Sequence, residues 1–107
     1  MPRRRTPHPF AAAVGRRIKQ LRQEAGLTQE QLAYESELGS KGHLSNLERG
    51  LAVPTVQTLK VLADHLGVLP LDLLTFPEDD PRQALIDASR NFQAGTIRRL
   101  LREADKG

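Results

Sequence analysis

A chain of 107 residues carries one domain, with room for an appendage, around one modest core. It has no cysteine, which removes disulfides, thiolate chemistry and Cys-based metal sites, and its apolar runs are far too short to cross a membrane. The net charge of +3 is unevenly placed: residues 1–26 hold seven Arg/Lys against one acid, residues 27–77 three against six, and residues 78–107 six of each. A basic N-terminal stretch suggests a polyanion contact, or else a solvated tail.

Residues 1–8 contain two prolines and no apolar periodicity, and read as a flexible basic arm. Arg3-Arg4-Arg5 ahead of Phe10–Val14 is too short and too soon followed by Arg16-Arg17 to be an export signal, so the expected location is the cytoplasm, on the nucleoid. From Pro9 a helix is predicted: Phe10, Val14, Ile18, Leu21 and Ala25 recur every three or four residues. Gly15 inside it costs about 1 kcal/mol relative to Ala and leaves room for a second backbone. Gly26 ends it.

Thr28-Gln29-Glu30-Gln31 is a capping box, opening a second helix from about Gln29 to Ser36 that buries Leu32 and Ala33. A turn at Glu37-Leu38-Gly39 follows. Ser40 then caps a third helix that Gly50 closes. Leu44 and Leu47 share its inner side. Gly42, Ser45, Asn46 and Arg49 oppose them, with Lys41 and His43 on the flanks. Leu51–Pro54 is a loop. Thr55 caps a fourth helix with Val56, Leu59, Leu62, Ala63 and Leu66 facing inward, and Gly67 stops it. Pro70 opens a short fifth helix reaching Leu74.

Phe76–Pro81 reads as a linker. Beyond it Leu85, Ile86 and Phe92 lie at roughly helical spacing, Ala94-Gly95 interrupts, and Thr96 caps a last helix carrying Ile97, Leu100, Leu101 and Ala104. No stretch alternates long enough for a strand. The expected class is all-α, five short helices and then two more: an arm at 1–8, a domain at 9–76, and a linker with a C-terminal helical extension at 77–107.

Two short helices joined by a tight turn, the second with a polar outer side, describe a helix-turn-helix. The string Leu27–Ala33, Ser40–Gly50, Pro54–Leu59, Ala63-x-x-Leu66-Gly67-Val68 and Leu73-Leu74 resembles the Xre or Cro/phage-repressor type of DNA-binding domain. The resemblance covers roughly residues 10–76. It implies a five-helix, lambda-repressor-like fold and a sequence-specific transcriptional regulator, a repressor that binds palindromic double-stranded DNA as a homodimer.

Site roles follow from the resemblance residue by residue. Gln29 matches a phosphate contact at the start of the second helix. Lys41, Gly42, His43 and Asn46 match base-facing positions, with Ser40, Ser45 and Arg49 beside them in the DNA-binding set. Chemically, Lys41 can donate to guanine O6/N7, Asn46 can pair with adenine N6/N7, and His43 can donate to a purine N7. Glu48 is turned partly to the core, and the resemblance pairs it with Arg22 as a structural ion pair. The chain departs from the pattern twice. The turn at Leu38-Gly39 is one residue longer, and Leu51-Ala52-Val53 lacks the usual Lys or Arg. Arg3, Arg4 and Arg5 can replace that charge by reaching a groove, with Arg16 and Arg17 adding grip.

An enzyme is not expected. His8, His43 and His65 sit in different elements, no nucleophile or phosphate-loop motif is present, and no metal or cofactor is expected. Two other readings compete. One is an antitoxin-like module whose C-terminal helices bind a protein partner. The other is a DNA-binding fold kept as an interaction scaffold. The apolar stripe of residues 82–105 either supports dimerisation or completes the monomer core.

Overall fold

A computed structural model of the chain describes residues 6–36 and 40–107. Every regular element among the described residues is helical. The chain divides into two compact units, Met1–Leu74 and Thr75–Gly107, two residues earlier than the boundary expected from the sequence.

The first unit contains α1 (Pro9–Glu24), α2 (Gln29–Glu35), α3 (Lys41–Glu48), α4 (Val56–Leu66) and α5 (Pro70–Leu73). Their starts are set by side-chain caps. Thr28 Oγ1 accepts from the Gln31 N–H at 3.1 Å while Gln31 Oε1 accepts from the Thr28 N–H at 2.8 Å, satisfying two donors that the first turn leaves free. Ser40 Oγ accepts from the His43 N–H at 3.1 Å, and Thr55 Oγ1 from the Thr58 N–H at 3.0 Å. The cap of α1 is His8, whose Nδ1 accepts from the Ala11 N–H and whose own N–H donates to the Gly50 carbonyl, both at 3.4 Å. The last residue of the expected flexible arm is therefore tied to the end of α3. Residues 1–5, with Arg3, Arg4 and Arg5, lie outside the described residues, as does the turn at 37–39.

The core draws on all five helices: Val14, Ile18 and Leu21, then Leu32 and Ala33, Leu44 and Leu47, Leu62, Ala63 and Leu66, and Leu73. Each large aliphatic side chain so buried contributes about 1.5–3 kcal/mol. α1 packs on both α3 and α5. Gly15 makes the first contact possible, since a Cβ there would overlap the carbonyl oxygens of Leu47 and Glu48. Gly50 closes α3 at φ +76° against the backbone of Ala12. Three expectations fail at helix ends. Val56 is 84% exposed, Phe10 is 56% exposed, and Ala25 is exposed. Helical period fixes a direction around the axis, not how far a neighbour extends along it.

Arg17 also departs from expectation. It is buried; its Nε donates to the Asp72 carbonyl at 2.8 Å and its Nη1 to Gln20 Oε1 at 3.2 Å. Asp72 Oδ2 in turn accepts from the Leu69 N–H at 2.8 Å and starts α5. Arg17 therefore ties α1 to α5 and is not a surface charge available for a polyanion. A partner 55 positions away cannot be read from local pattern.

In the second unit, α6 (Pro81–Ala88) is followed by a 3-10 turn (Ser89–Asn91) and α7 (Ala94–Lys106). The expected linker is a hydrogen-bonded turn: Phe76 N–H donates to Gln83 Oε1 at 2.7 Å, and Asp79 N–H donates to the Phe76 carbonyl at 3.0 Å. Asp80 caps α6. The Gln83 side-chain amide and backbone N–H both donate to its carboxylate and hold its pKa below the ordinary value. The last break falls at Phe92-Gln93, not at Ala94-Gly95, and Thr96 lies within the first turn of α7 rather than at its cap. The full glycine penalty of about 1 kcal/mol belongs to helix interiors, so Gly95 near the start does not interrupt. None of the residues in α6 or α7 is buried.

Candidate nucleic-acid interface

α3 is held from behind. Leu44 and Leu47 are fully buried, and Glu48 anchors the last turn. Arg22 Nε stands 2.7 Å from Glu48 Oε2, and Arg22 Nη2 3.1 Å from Glu48 Oε1. Such a two-pronged guanidinium–carboxylate contact fixes direction as well as distance. The third prong, Arg22 Nη1, donates to the Leu27 carbonyl at 2.8 Å. Gln29 Nε2 adds a bond to Glu48 Oε1 at 2.9 Å. One carboxylate thus joins the end of α1, the start of α2 and the end of α3, setting the angle of the helix-turn-helix.

The opposite side of α3 faces away from this core. Ser40, Lys41, Gly42 and Arg49 are exposed, while His43, Ser45 and Asn46 are half-buried. The outer groups rest on one another. Lys41 Nζ lies 3.3 Å from Glu30 Oε1, and Arg49 Nη2 donates to Asn46 Oδ1 at 3.3 Å. Both contacts are exposed, so each is worth at most about 1 kcal/mol and can be exchanged for another partner. The Asn46 carbonyl accepts from the N–H groups of Leu51 and Ala52, at 2.8 and 3.2 Å, which closes the chain behind the helix. At Gly42 a Cβ would meet nothing nearer than Ser40 Oγ at 3.8 Å, so the surface is open there.

The expected set is therefore divided. Lys41, Gly42, His43, Ser45, Asn46 and Arg49 share α3 and its cap. Ser40 spends its oxygen on the His43 N–H. Gln29 is engaged with Glu48 rather than free at the start of α2. Sequence reasoning passed over two neighbours on α2: Glu30, which holds Lys41, and Tyr34, which is 86% exposed. The signal for both was present, because Leu32 and Ala33 facing inward turn Glu30 and Tyr34 outward. A cleft of about 580 Å³ opens between the end of α1, Thr28–Glu30 and Lys41. Among the described residues there is no cluster of three or more His, Asp or Glu able to hold a metal ion, and no helix long and apolar enough to cross a membrane.

Residues 13–75 match a protein-family model described as a helix-turn-helix domain. Over 68 residues the chain is 46% identical to the uncharacterized HTH-type transcriptional regulator y4dJ of Sinorhizobium fredii, covering 64% of this chain and 87% of that protein. It is 44% identical over 55 residues to the immunity repressor protein of Bacillus phage phi105, covering 51% of this chain and 38% of the repressor. The crystal structure of the restriction-modification controller protein C.AhdI from Aeromonas hydrophila aligns at a TM-score of 0.59 and 30% identity, covering 62% of this chain and 98% of that one.

Proposed function

The chain belongs to the helix-turn-helix domain family of DNA-binding transcriptional regulators, and from that premise we propose that it is a repressor that binds a two-fold operator as a homodimer, with α3 in the major groove. The outer side of α3 carries this reading. It presents donors and acceptors clear of the core, on a helix immobilised by Leu44, Leu47 and the Arg22–Glu48 pair. Lys41 exchanges Glu30 for guanine O6/N7, and Asn46 exchanges Arg49 for adenine N6/N7. His43 donates to a purine N7, and the bare backbone at Gly42 lets α3 sit close to the base edges. Arg49, freed from Asn46, reaches a phosphate, which positions the helix without reading sequence.

This helix has few charges of its own, so it supplies discrimination more than grip. Arg3, Arg4 and Arg5, together with Arg16, add phosphate contacts in this reading, whereas Arg17 is committed to α5. Glu30 opposes indiscriminate binding by standing beside Lys41 near the phosphates.

Selection of bound sequences from a random duplex pool at moderate salt tests the function. The expected product is a palindrome whose half-sites lie about one helical turn apart, roughly 10–10.5 base pairs, or a multiple of it. A pool with no enriched sequence contradicts specific regulation and favours the interaction-scaffold reading.

A further inference from the structure

α7 has an apolar side that is largely exposed: Ile97 is half-buried, and Leu100, Leu101 and Ala104 are exposed. Ile97, Leu100, Leu101 and Ala104 fall within about 100° around the helix axis. Leu101 is 61% exposed and Leu100 43%. The unit Thr75–Gly107 is shorter than the ~40 residues below which a core usually needs outside support. Its charges say what that support is. Arg98 and Arg99 stand in the first half of α7, and Arg102, Glu103, Asp105 and Lys106 in its second. Arg98 and Asp105 share one flank of the apolar side, within about 20° of each other, and Glu103, which Lys106 Nζ approaches at 3.4 Å, lies on the other, while Arg99 and Arg102 point away from it, each about 150° from its centre.

When two copies of a helix pair antiparallel about a two-fold axis, each flank meets the same flank of the partner running in the opposite direction. Arg98 then meets the partner's Asp105. Leu100 packs on the partner's Leu101, and Ile97 on the partner's Ala104, large against small. A parallel pair in register instead sets Asp105 beside the partner's Glu103, like against like. Helix dipoles also favour the antiparallel arrangement. We infer that α7 is a self-association helix that pairs antiparallel with α7 of a second copy. This deepens the homodimer reading above and rests on it only for its consequence on DNA.

The test uses the full chain in sedimentation over a range of concentrations. The expected result is a reversible dimer that Leu101→Glu weakens at least tenfold. Arg98→Glu and Asp105→Arg each weaken it several-fold, and the two together restore it. Since the chain has no cysteine, single introduced cysteines report direction. Leu101→Cys sits beside its own copy at the two-fold axis and forms a disulfide dimer readily. Ala104→Cys lies about 10 Å from its copy along the paired helices, from a rise of about 1.5 Å per residue, and does so poorly. An unchanged melting temperature of the helix-turn-helix unit in Leu101→Glu shows that the fold is intact. Three results overturn the inference: a monomer at every concentration, with α7 covered by its own chain or by another protein; a dimer indifferent to Leu101→Glu; or faster cross-linking of Ala104→Cys than of Leu101→Cys. A dimer that shows these responses but binds no specific DNA supports the pairing and counts against the operator reading alone.

Discussion

Glu48→Ala is expected to destabilise the helix-turn-helix unit by about 3–5 kcal/mol, the scale on which losing one partner of a buried ion pair is felt. The substitution removes an acceptor used by Arg22 Nε, Arg22 Nη2 and Gln29 Nε2 together. It leaves a buried guanidinium with the Leu27 carbonyl as its remaining bond among those described above. It also frees the angle between α1, α2 and α3, so DNA affinity falls with stability. Urea unfolding of Glu48→Ala and Glu48→Gln measures both aspects. Glu48→Gln keeps the shape and part of the hydrogen bonding, and is expected to lose less. A loss below about 1 kcal/mol in Glu48→Ala means that the carboxylate is not the joint of the motif.

Gly15→Ala should destabilise by about 2 kcal/mol or more, although alanine is the better helix former by about 1 kcal/mol. The reason is backbone against backbone. The added methyl falls on the carbonyl oxygens of Leu47 and Glu48, which no rotamer change can move aside. α1 and α3 must separate, and the Arg22–Glu48 contact opens with them. Gly42→Ala makes the contrast, because its methyl meets open space. There no clash offsets the propensity gain, but Gly42, like Gly95, lies in the first turn, so stability rises by well under the interior value of about 1 kcal/mol. Thermal unfolding followed by circular dichroism compares the two. A Gly15→Ala protein as stable as the parent contradicts the close approach.

Much of this fold was legible because caps and helical period are local. Thr28 with Gln31, Ser40 with His43, and Thr55 with Thr58 each act within three residues. Gly26, Gly50 and Gly67 take the left-handed conformation that ends a helix. What escaped depends on partners remote in sequence. Arg17 looked like one more surface base until α5 was placed against it. Val56 kept the period of α4 and still faced solvent. His8 passed for arm, because a histidine cap is a weaker signal than serine or threonine. At the candidate site, the period of α3 indicated that Leu44 and Leu47 face inward, and both are buried. What each site residue does at rest was not legible: Lys41 against Glu30, Asn46 against Arg49 and Gln29 against Glu48 are contacts between neighbours on different turns or helices. The resemblance supplied the expectation of an Arg22–Glu48 pair, where period alone said only that Glu48 was turned partly inward.

The most direct measurement is the base-preference profile of the parent protein against Lys41→Ala, His43→Ala and Asn46→Ala, each confirmed folded and compared at one salt concentration. Asn46→Ala should relax preference at one adenine in each half-site by about 1–3 kcal/mol, and Lys41→Ala at one guanine, with the remaining positions unchanged. Identical profiles in the parent and all three variants would mean that α3 does not read the bases.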